Sequence, residues 1–179
     1  MNNGSPRLPR ESLTEGISIG GELELAIADF AAAVMRNGSD QAIIRELVRL
    51  RCAQIHDCRL CGSLRIKDAL DQGFDEQLQR QIASYETSNL SPQAVAALRL
   101  CDAIIMSPSS ADEALRDELR NHFTDHQITG LCLDVMKWSQ QKALVSLRMD
   151  AAPWGDTTTT LMFNDQGDPV FGKPAYREN

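Results

Sequence analysis

The sequence predicts a single all-α domain of about seven helices, followed by an irregular C-terminal tail. With 179 residues the chain is long enough to bury a sizeable hydrophobic core. Apolar residues make up 42% of it and aromatic residues only 5%, which favours helices packed through aliphatic side chains over β-sandwiches. Apolar residues also recur at intervals of three and four, the spacing of a helix with one buried face.

Several of the predicted helices begin or end at residues that cap helices. Ser39-Asp40, Asp57, Ser91 and Thr124 are predicted N-caps, because their side-chain oxygens can accept hydrogen bonds from the free N–H groups of a first turn. Gly73 is predicted to close the third helix in a left-handed conformation. The predicted helices span about residues 22–36, 41–55, 58–72, 75–84, 92–106, 112–123 and 125–149.

The chain divides into three parts by composition. Residues 1–20 hold prolines, glycines and mixed polar residues, and are predicted to be a flexible N-terminal arm. Residues 21–150 form the helical domain, and residues 151–179 are a turn-rich C-terminal extension. Within the extension, residues 161–163 and 170–171 are predicted either to pair as a short hairpin or to cross onto a neighbouring subunit. We therefore also expect a homo-oligomer: a dimer, trimer or hexamer.

Charge and hydropathy narrow the classes of function. The net charge of −7 argues against nucleic acid or an anionic membrane surface as a partner. No apolar run approaches the roughly 20 residues of a membrane span, and the first residues lack the apolar stretch of a secretory signal. These features predict a cytoplasmic protein whose five cysteines are mostly reduced.

The pair Cys58 and Cys61 is the strongest indication of chemistry in the sequence. Both are predicted to lie on the first turn of a helix, where free N–H groups and the helix dipole should lower the pKa of the more N-terminal thiol, Cys58. The three-residue spacing lets one thiol attack a sulfenic acid or a mixed disulfide on the other. The alternatives are half of a zinc site that includes His56, or two buried, inert thiols.

A wider pattern surrounds this dithiol. Glu46 lies on the preceding helix, twelve residues before Cys58 (58 minus 46), and Ala69 and Gly73 follow Cys61 as a small-residue ending. In this pattern the chain resembles the alkylhydroperoxidase D and carboxymuconolactone decarboxylase superfamily. The resemblance covers about residues 42–75 and continues more loosely through residues 125–149.

The resemblance implies both a fold and an activity. Members of the superfamily are all-helical oligomers, usually built from trimers, and those with the dithiol reduce peroxides or a partner peroxidase. It implies that Cys58 and Cys61 form the redox pair and that Glu46 is in the proton-relay position. Taken from the residues alone, the favoured interpretation of Glu46 is an exposed helix charge paired with Arg45, Arg49 or a nearby lysine; with the superfamily pattern, the two interpretations are equally favoured.

Arg65 departs from the superfamily pattern, and His56 is a candidate to replace the histidine that is missing there. The dithiol members usually carry histidine four residues after the second cysteine, where this chain has Arg65. An arginine cannot act as a base, so Arg65 is predicted to stabilise a thiolate, to bind an anionic substrate group, or to be a solvated surface residue. His56 is predicted to serve as the missing base, to pair as imidazolium with a thiolate, or merely to end its helix.

Together these features predict a thiol-dependent peroxidase or disulfide oxidoreductase that reduces hydroperoxides. No resident cofactor or metal is expected, and an external dithiol reductant or a partner peroxidase would restore the thiols. Two alternatives stay open: a lactone decarboxylase like those of the superfamily's other branch, and a non-enzymatic helical oligomer whose dithiol senses redox conditions.

Overall fold

The computed structural model describes residues 21–37, 41–148 and 157–175, which form eight α-helices, two short 3₁₀ helices and a three-stranded sheet. The predicted N-terminal arm and the predicted cap at Ser39-Asp40 lie outside these residues. The α-helices are α1 (Gly21–Arg36), α2 (Ala42–Ile55), α3 (Arg59–Gly62), α4 (Lys67–Asp71), α5 (Glu76–Gln81), α6 (Pro92–Met106), α7 (Glu113–His122) and α8 (Asp125–Arg148). The 3₁₀ helices are Ile82–Thr87 and Pro108–Ser110, and the strands are β1 (Leu64–Ile66), β2 (Thr159–Phe163) and β3 (Pro169–Pro174).

The hydrophobic core lies where α2, α6 and α8 pack against one another. Their apolar stripes supply fully buried side chains such as Val48, Leu98 and Val135, as the three-and-four spacing predicts. The predicted all-α architecture is confirmed. No helix among the described residues combines the length and the apolar character needed to cross a membrane.

The predicted third helix, residues 58–72, is interrupted. It is replaced by α3, the short strand β1 and α4. β1 pairs in parallel with β2, with Leu64 opposite Thr159, and the Thr159 N–H donates to the Ser63 carbonyl at 2.8 Å. This pairing satisfies backbone groups with a partner about a hundred residues away along the chain, so the local helical pattern does not decide the conformation here.

The C-terminal extension is ordered into a hairpin. β2 and β3 pair antiparallel, with Leu161 opposite Phe171, which confirms the predicted hairpin. The prediction of an irregular tail is wrong for the residues of these two strands. The remaining residues of the extension, 151–156 and 176–179, lie outside the described residues. β1, β2 and β3 thus form one sheet that covers the region just after the dithiol.

Most of the predicted helix ends are confirmed. Gly73 has a φ of +97°, and Ser91 and Thr124 accept hydrogen bonds from N–H groups three residues later in the chain. Asp57 is not an N-cap: its φ of +47° places it in a tight left-handed turn. The cap of α3 is Cys58, whose sulfur accepts a hydrogen bond from the Cys61 N–H at 3.4 Å.

Candidate active site

The dithiol lies at a sharp turn between α2 and α3. α2 ends at Ile55, the chain turns through Asp57, and the Cys58 N–H donates to the Ala53 carbonyl at 2.9 Å. Both sulfurs are free thiols, and the side chains of Cys58 and Cys61 are only 2% and 8% exposed. The two cysteines thus lie close together at the start of a helix, as predicted, but both are buried.

The two cysteines line different cavities. Cys61 lines a cavity of about 220 Å³ whose walls come from α1, α8 and the β2–β3 hairpin; we call it the lysine cavity, after Lys137 and Lys142 in its wall. Cys58 lines a separate, smaller depression of about 110 Å³, bordered by Gln54, Arg59 and Gln79 among others. A small molecule in the lysine cavity would therefore meet Cys61 and not Cys58.

The surroundings of the two thiols separate their pKa values. The hydrogen-bonding interaction with the Cys58 thiol, together with the positive charges of Lys142, Arg49 and Lys137, lowers the pKa of Cys61 to about 6 against the opposing effect of burial. The same thiol–thiol interaction and burial raise the pKa of Cys58. The expectation that Cys58 has the lowered pKa is wrong. α3 has only four residues and so a weak dipole, and the cations gather around Cys61.

Glu46 and Arg49 form a buried ion pair next to the dithiol. Their side chains are 0% and 1% exposed, and the guanidinium contacts both carboxylate oxygens, at 2.6 and 2.8 Å. Arg49 also donates to the Cys61 carbonyl at 2.8 Å and to that of Leu64, and Glu46 accepts from the Ile66 N–H at 3.3 Å. Glu46 is thus paired with Arg49 but is not an exposed charge, and its proton-relay role stays a prediction.

Arg65 is buried, contrary to the interpretation of it as a solvated surface residue. It lies on β1 with only 2% of its surface exposed. Its guanidinium donates to the Gly62 and Leu64 carbonyls at 2.6 and 2.7 Å and to the side chains of Glu76 and Gln79. Arg65 therefore ties α5 to the chain that follows the dithiol. Its predicted action on a thiolate or an anionic substrate stays a prediction.

His56 ends α2 and contacts the long helix. Its Nε2 lies 2.7 Å from the Ser139 hydroxyl. Burial and the nearby charge of Lys142 lower the pKa of His56, which favours the neutral imidazole over an imidazolium paired with a thiolate. Its role as a base stays a prediction. In the described part of the chain no cluster of three or more His, Cys, Asp or Glu side chains is arranged to hold a metal ion.

Comparison with solved structures identifies the fold. ATU0492 from Agrobacterium tumefaciens, a protein of unknown function assigned provisionally to antioxidant defence as AhpD, superposes with a TM-score of 0.61 at 20% identity. The match covers 78% of this chain and 92% of that one. An uncharacterized peroxidase-related protein from Silicibacter sp. TM1040 gives a TM-score of 0.60 at 18% identity, over 74% of this chain and 71% of the other. This chain has the alkylhydroperoxidase D-like fold.

Sequence relatives extend the comparison without adding an activity. The uncharacterized protein Rv2313c of Mycobacterium tuberculosis is 38% identical over 144 residues, which cover 80% of this chain and 51% of the relative. The uncharacterized protein YdfG of Bacillus subtilis is 31% identical over 91 residues, covering 50% of this chain and 62% of YdfG. This chain thus spans about half the length of the mycobacterial relative. No family model matches the chain.

On this alkylhydroperoxidase D-like fold, α8 adds site residues that the sequence interpretation missed. Lys137 and Lys142 are 3% and 1% exposed, and their Nζ atoms lie 3.0 and 4.2 Å from the centre of the Trp138 ring. Burial lowers the pKa of Lys137 to about 6 and also lowers that of Lys142. Trp138 belongs to the hydrophobic core and also lines the cavity. Met136, two residues earlier on α8, is instead 53% exposed.

One signal in the sequence could have found these lysines. Lys142 shares the apolar face of α8 with Val135 and Trp138, where a solvated charge does not belong. A lysine in a buried stripe indicates either a long side chain that reaches the surface or a functional cation. At 1% exposure Lys142 does not reach the surface.

Proposed function

We propose that this protein reduces hydroperoxides through the Cys58–Cys61 dithiol, with Cys61 as the thiol that attacks the peroxide. The observation that carries the proposal is the position of Cys61 in the wall of the lysine cavity, beside two buried lysines that favour its thiolate. The thiolate is the nucleophilic form of cysteine. The shared fold with a peroxidase-related protein is consistent with this chemistry.

The reaction we propose balances in three steps. The Cys61 thiolate attacks one peroxide oxygen, so that an S–O bond forms, the O–O bond breaks and the leaving alkoxide takes up a proton to depart as an alcohol. The Cys58 sulfur then attacks the sulfenic acid on Cys61, forming the disulfide and releasing water with the Cys58 proton. An external dithiol then attacks this disulfide: its two S–H groups give two electrons and two protons to the pair, which returns to free thiols, and the donor leaves as its own disulfide.

The two pKa values indicate which sulfur the reductant attacks. In thiol–disulfide exchange the thiol with the lower pKa is the better leaving group. Attack on the Cys58 sulfur releases Cys61, the thiol whose pKa is lowered, and the depression beside Cys58 gives access to that sulfur. Oxidant and reductant would thus approach the dithiol from different cavities.

The ionisable groups around the dithiol fit supporting roles in this reaction. Lys142 and Lys137 stabilise the Cys61 thiolate, and in its ammonium form either can supply the proton that the alkoxide requires. The lysines would in this way replace the histidine that this chain lacks at Arg65. Glu46 holds Arg49 in place beside the Cys61 carbonyl.

The test is peroxide consumption by the reduced protein with cumene hydroperoxide as oxidant and dithiothreitol as donor. We expect Cys61→Ser to abolish consumption and to form no sulfenic acid. Cys58→Ser should lose turnover but accumulate a sulfenic acid on Cys61 that dimedone traps. Cys132→Ser is the control, because Cys132 lies outside both cavities. Full turnover in Cys61→Ser would overturn the proposal.

One observation favours a second candidate, a redox sensor. Both thiols are at least nine-tenths buried, which hinders a bulky dithiol donor. A sensor would oxidise once in the same assay and would not turn over with any dithiol donor. Turnover of a γ-lactone acid that survives loss of both cysteines would instead support the decarboxylase alternative.

A further inference from the structure

The lysine cavity holds two buried amines that have no carboxylate partner among the described residues. Three basic side chains line it, from Arg49, Lys137 and Lys142. Glu46 neutralises Arg49 through two short contacts, but no carboxylate in the described parts of the chain forms an ion pair with either lysine. Burying an ammonium group without a partner is costly.

The nearest carboxylates do not fill this gap. Asp134, one turn before Trp138, acts on Lys137 electrostatically, but both of its oxygens are held by Arg45, at 2.6 and 2.7 Å. Asp168 lies at the exposed rim of the cavity, where it accepts a hydrogen bond from Asn164 at 3.2 Å. Apart from the Cys61 thiolate, the described lining therefore offers the two lysines no free carboxylate acceptor.

Trp138 adds a further donor to the same wall. Its indole N–H is buried and has no hydrogen-bond acceptor among the described residues. A buried N–H without an acceptor typically lowers the stability of the folded protein by about 1–3 kcal/mol. Such a group therefore commonly indicates a missing acceptor. The rest of the lining is apolar, including Leu161, Phe163 and Ala32.

We propose that the lysine cavity binds a small organic carboxylate, with the carboxylate between Lys137, Lys142 and the Trp138 N–H and an apolar body against the hairpin. A carboxylate supplies the acceptors that these donors lack, and its charge favours the ammonium form of both lysines. The size fits: an engineered cavity of about 150 Å³ holds benzene, and this one measures about 220 Å³. A one-ring or short-chain acid fills it.

This assignment also names a substrate class, and that part rests on the proposed function. Because Cys61 lines the same cavity, a hydroperoxide that carries a carboxylate would be held with its O–O bond near the attacking thiolate. Binding of the acid does not depend on redox chemistry, so the two ideas can fail separately.

The binding test uses phenylacetate as the probe and phenylacetamide as its neutral match. Calorimetric titration of the reduced protein should show phenylacetate binding about tenfold or more tightly than the amide. Phenylacetate should also slow alkylation by iodoacetamide at Cys61 but not at Cys58, because only Cys61 lines the cavity. Equal binding of acid and amide, or protection of neither thiol, overturns the proposal.

Substitutions locate the site. Lys137→Met and Lys142→Met should each weaken phenylacetate binding about tenfold, and both should fold because replacing a buried charge by an apolar side chain removes a desolvation cost. Trp138→Phe, which keeps most of the packing, should weaken it by a smaller factor. Lys67→Met is the control, since Lys67 is 47% exposed and pairs with Asp71 outside the cavity. Unchanged binding in both cavity variants overturns the proposal.

Turnover separates the substrate class from the activity. A hydroperoxide bearing a carboxylate should have a kcat/KM about tenfold above that of its methyl ester, and Lys137→Met should remove most of that preference. If cumene hydroperoxide is reduced and the acid has no advantage, the peroxidase proposal stands and the carboxylate proposal fails. If phenylacetate binds as expected but no peroxide is consumed, the site stands and the peroxidase proposal fails.

Discussion

At the scale of single residues, the asymmetry between Cys58 and Cys61 is the main feature of the site. Three positions separate them, yet the pKa of Cys61 is lowered to about 6 while that of Cys58 is raised. The two thiols interact and therefore titrate as a pair. The first of the pair's two protons to be lost is that of Cys61. The interaction with the Cys58 thiol favours the charge on Cys61, and the cations on α2 and α8 add to this effect.

This asymmetry predicts the pH dependence of Cys61. Because its pKa is lowered, the thiolate fraction should rise through pH 6 and level off by about pH 7. Alkylation of Cys61 by iodoacetamide, followed by mass spectrometry from about pH 5 to about pH 9, should have its midpoint near 6. Lys142→Met should move the midpoint upward, and Lys67→Met should not. A midpoint near that of an ordinary thiol, about 8.5, would contradict the assignment.

Glu46 offers a second prediction at this scale. Glu46→Gln leaves the guanidinium of Arg49 buried without its counter-ion, so we expect the free energy of unfolding to fall by about 3–5 kcal/mol in urea titrations. Glu86→Gln is the matched control: it breaks a pair with Arg99 in which both side chains are at least 39% exposed, and Arg99 keeps Glu118 as a partner, so it should lower stability by about 1 kcal/mol or less.

Activity measurements on the same pair separate two roles of Glu46. If Glu46 acts chiefly by holding Arg49, stability falls and the residual activity per folded molecule is retained. If stability is unchanged and peroxide turnover is lost, the proton-relay role implied by the superfamily resemblance is supported instead. Glu86→Gln should leave turnover unaffected in either case, because its partner Arg99 lines neither the lysine cavity nor the depression beside Cys58.

At the scale of elements, the hairpin β2–β3 completes the site. β2 pairs with β1, directly after the dithiol helix, and brings Leu161 and Phe163 to the cavity wall. The ring of Phe163 lies 6.2 Å from that of Trp138, measured between centroids. A segment near the C-terminus thereby closes a cavity whose other walls are helices.

A pair of hairpin variants tests this docking. Leu161 is 4% exposed, so Leu161→Ala should lower the free energy of unfolding by about 2–5 kcal/mol. Opening the wall should also raise the alkylation rate of Cys61. Val170→Ala, at a side chain that is 41% exposed on the same hairpin and outside the cavity wall, should change stability by about 0.5 kcal/mol or less. Equal effects of the two substitutions would argue that the hairpin does not pack as described.

At the scale of the whole molecule, the cysteines differ in how deeply they lie. The sulfurs of Cys52 and Cys101 are 3.6 Å apart between α2 and α6, and both side chains are fully buried. Cys132 is half-buried on α8. The core pair packs the centre of the fold, whereas Cys58 and Cys61 lie beside cavities.

Thiol labelling in increasing urea should reproduce this order. We expect Cys61 and Cys132 to react with the native protein, and Cys52 and Cys101 to react only as the molecule unfolds globally. Their labelling free energies should match the global free energy of unfolding, about 5–15 kcal/mol for a domain of this kind. Labelling of Cys101 at the native rate of Cys132 would show that the α2–α6 contact opens locally.

Assembly and location stay predictions. Val170 and Phe171 are 41% and 53% exposed on β3, one of the two edge strands of the described sheet. Sedimentation of the full chain would measure whether copies associate. The cytoplasmic location and the identity of the dithiol donor are likewise expected from the sequence alone.

The sequence by itself determined what depends on neighbouring residues. The helical period, the cap at Ser91 and the left-handed Gly73 follow from side-chain chemistry within one or two turns. The spacing of Cys58 and Cys61 identified the dithiol for the same reason, because both cysteines lie on one short stretch of chain.

Only the tertiary structure decided what depends on distant residues. It placed residues 64–66 in a strand against β2, buried Arg65, and set Lys137 and Lys142 beside Cys61. Periodicity states that a face is buried but not which element covers it, and a pKa depends on charges that the fold brings close. The dithiol could therefore be found from the sequence, but which of its two thiols has the lowered pKa could not.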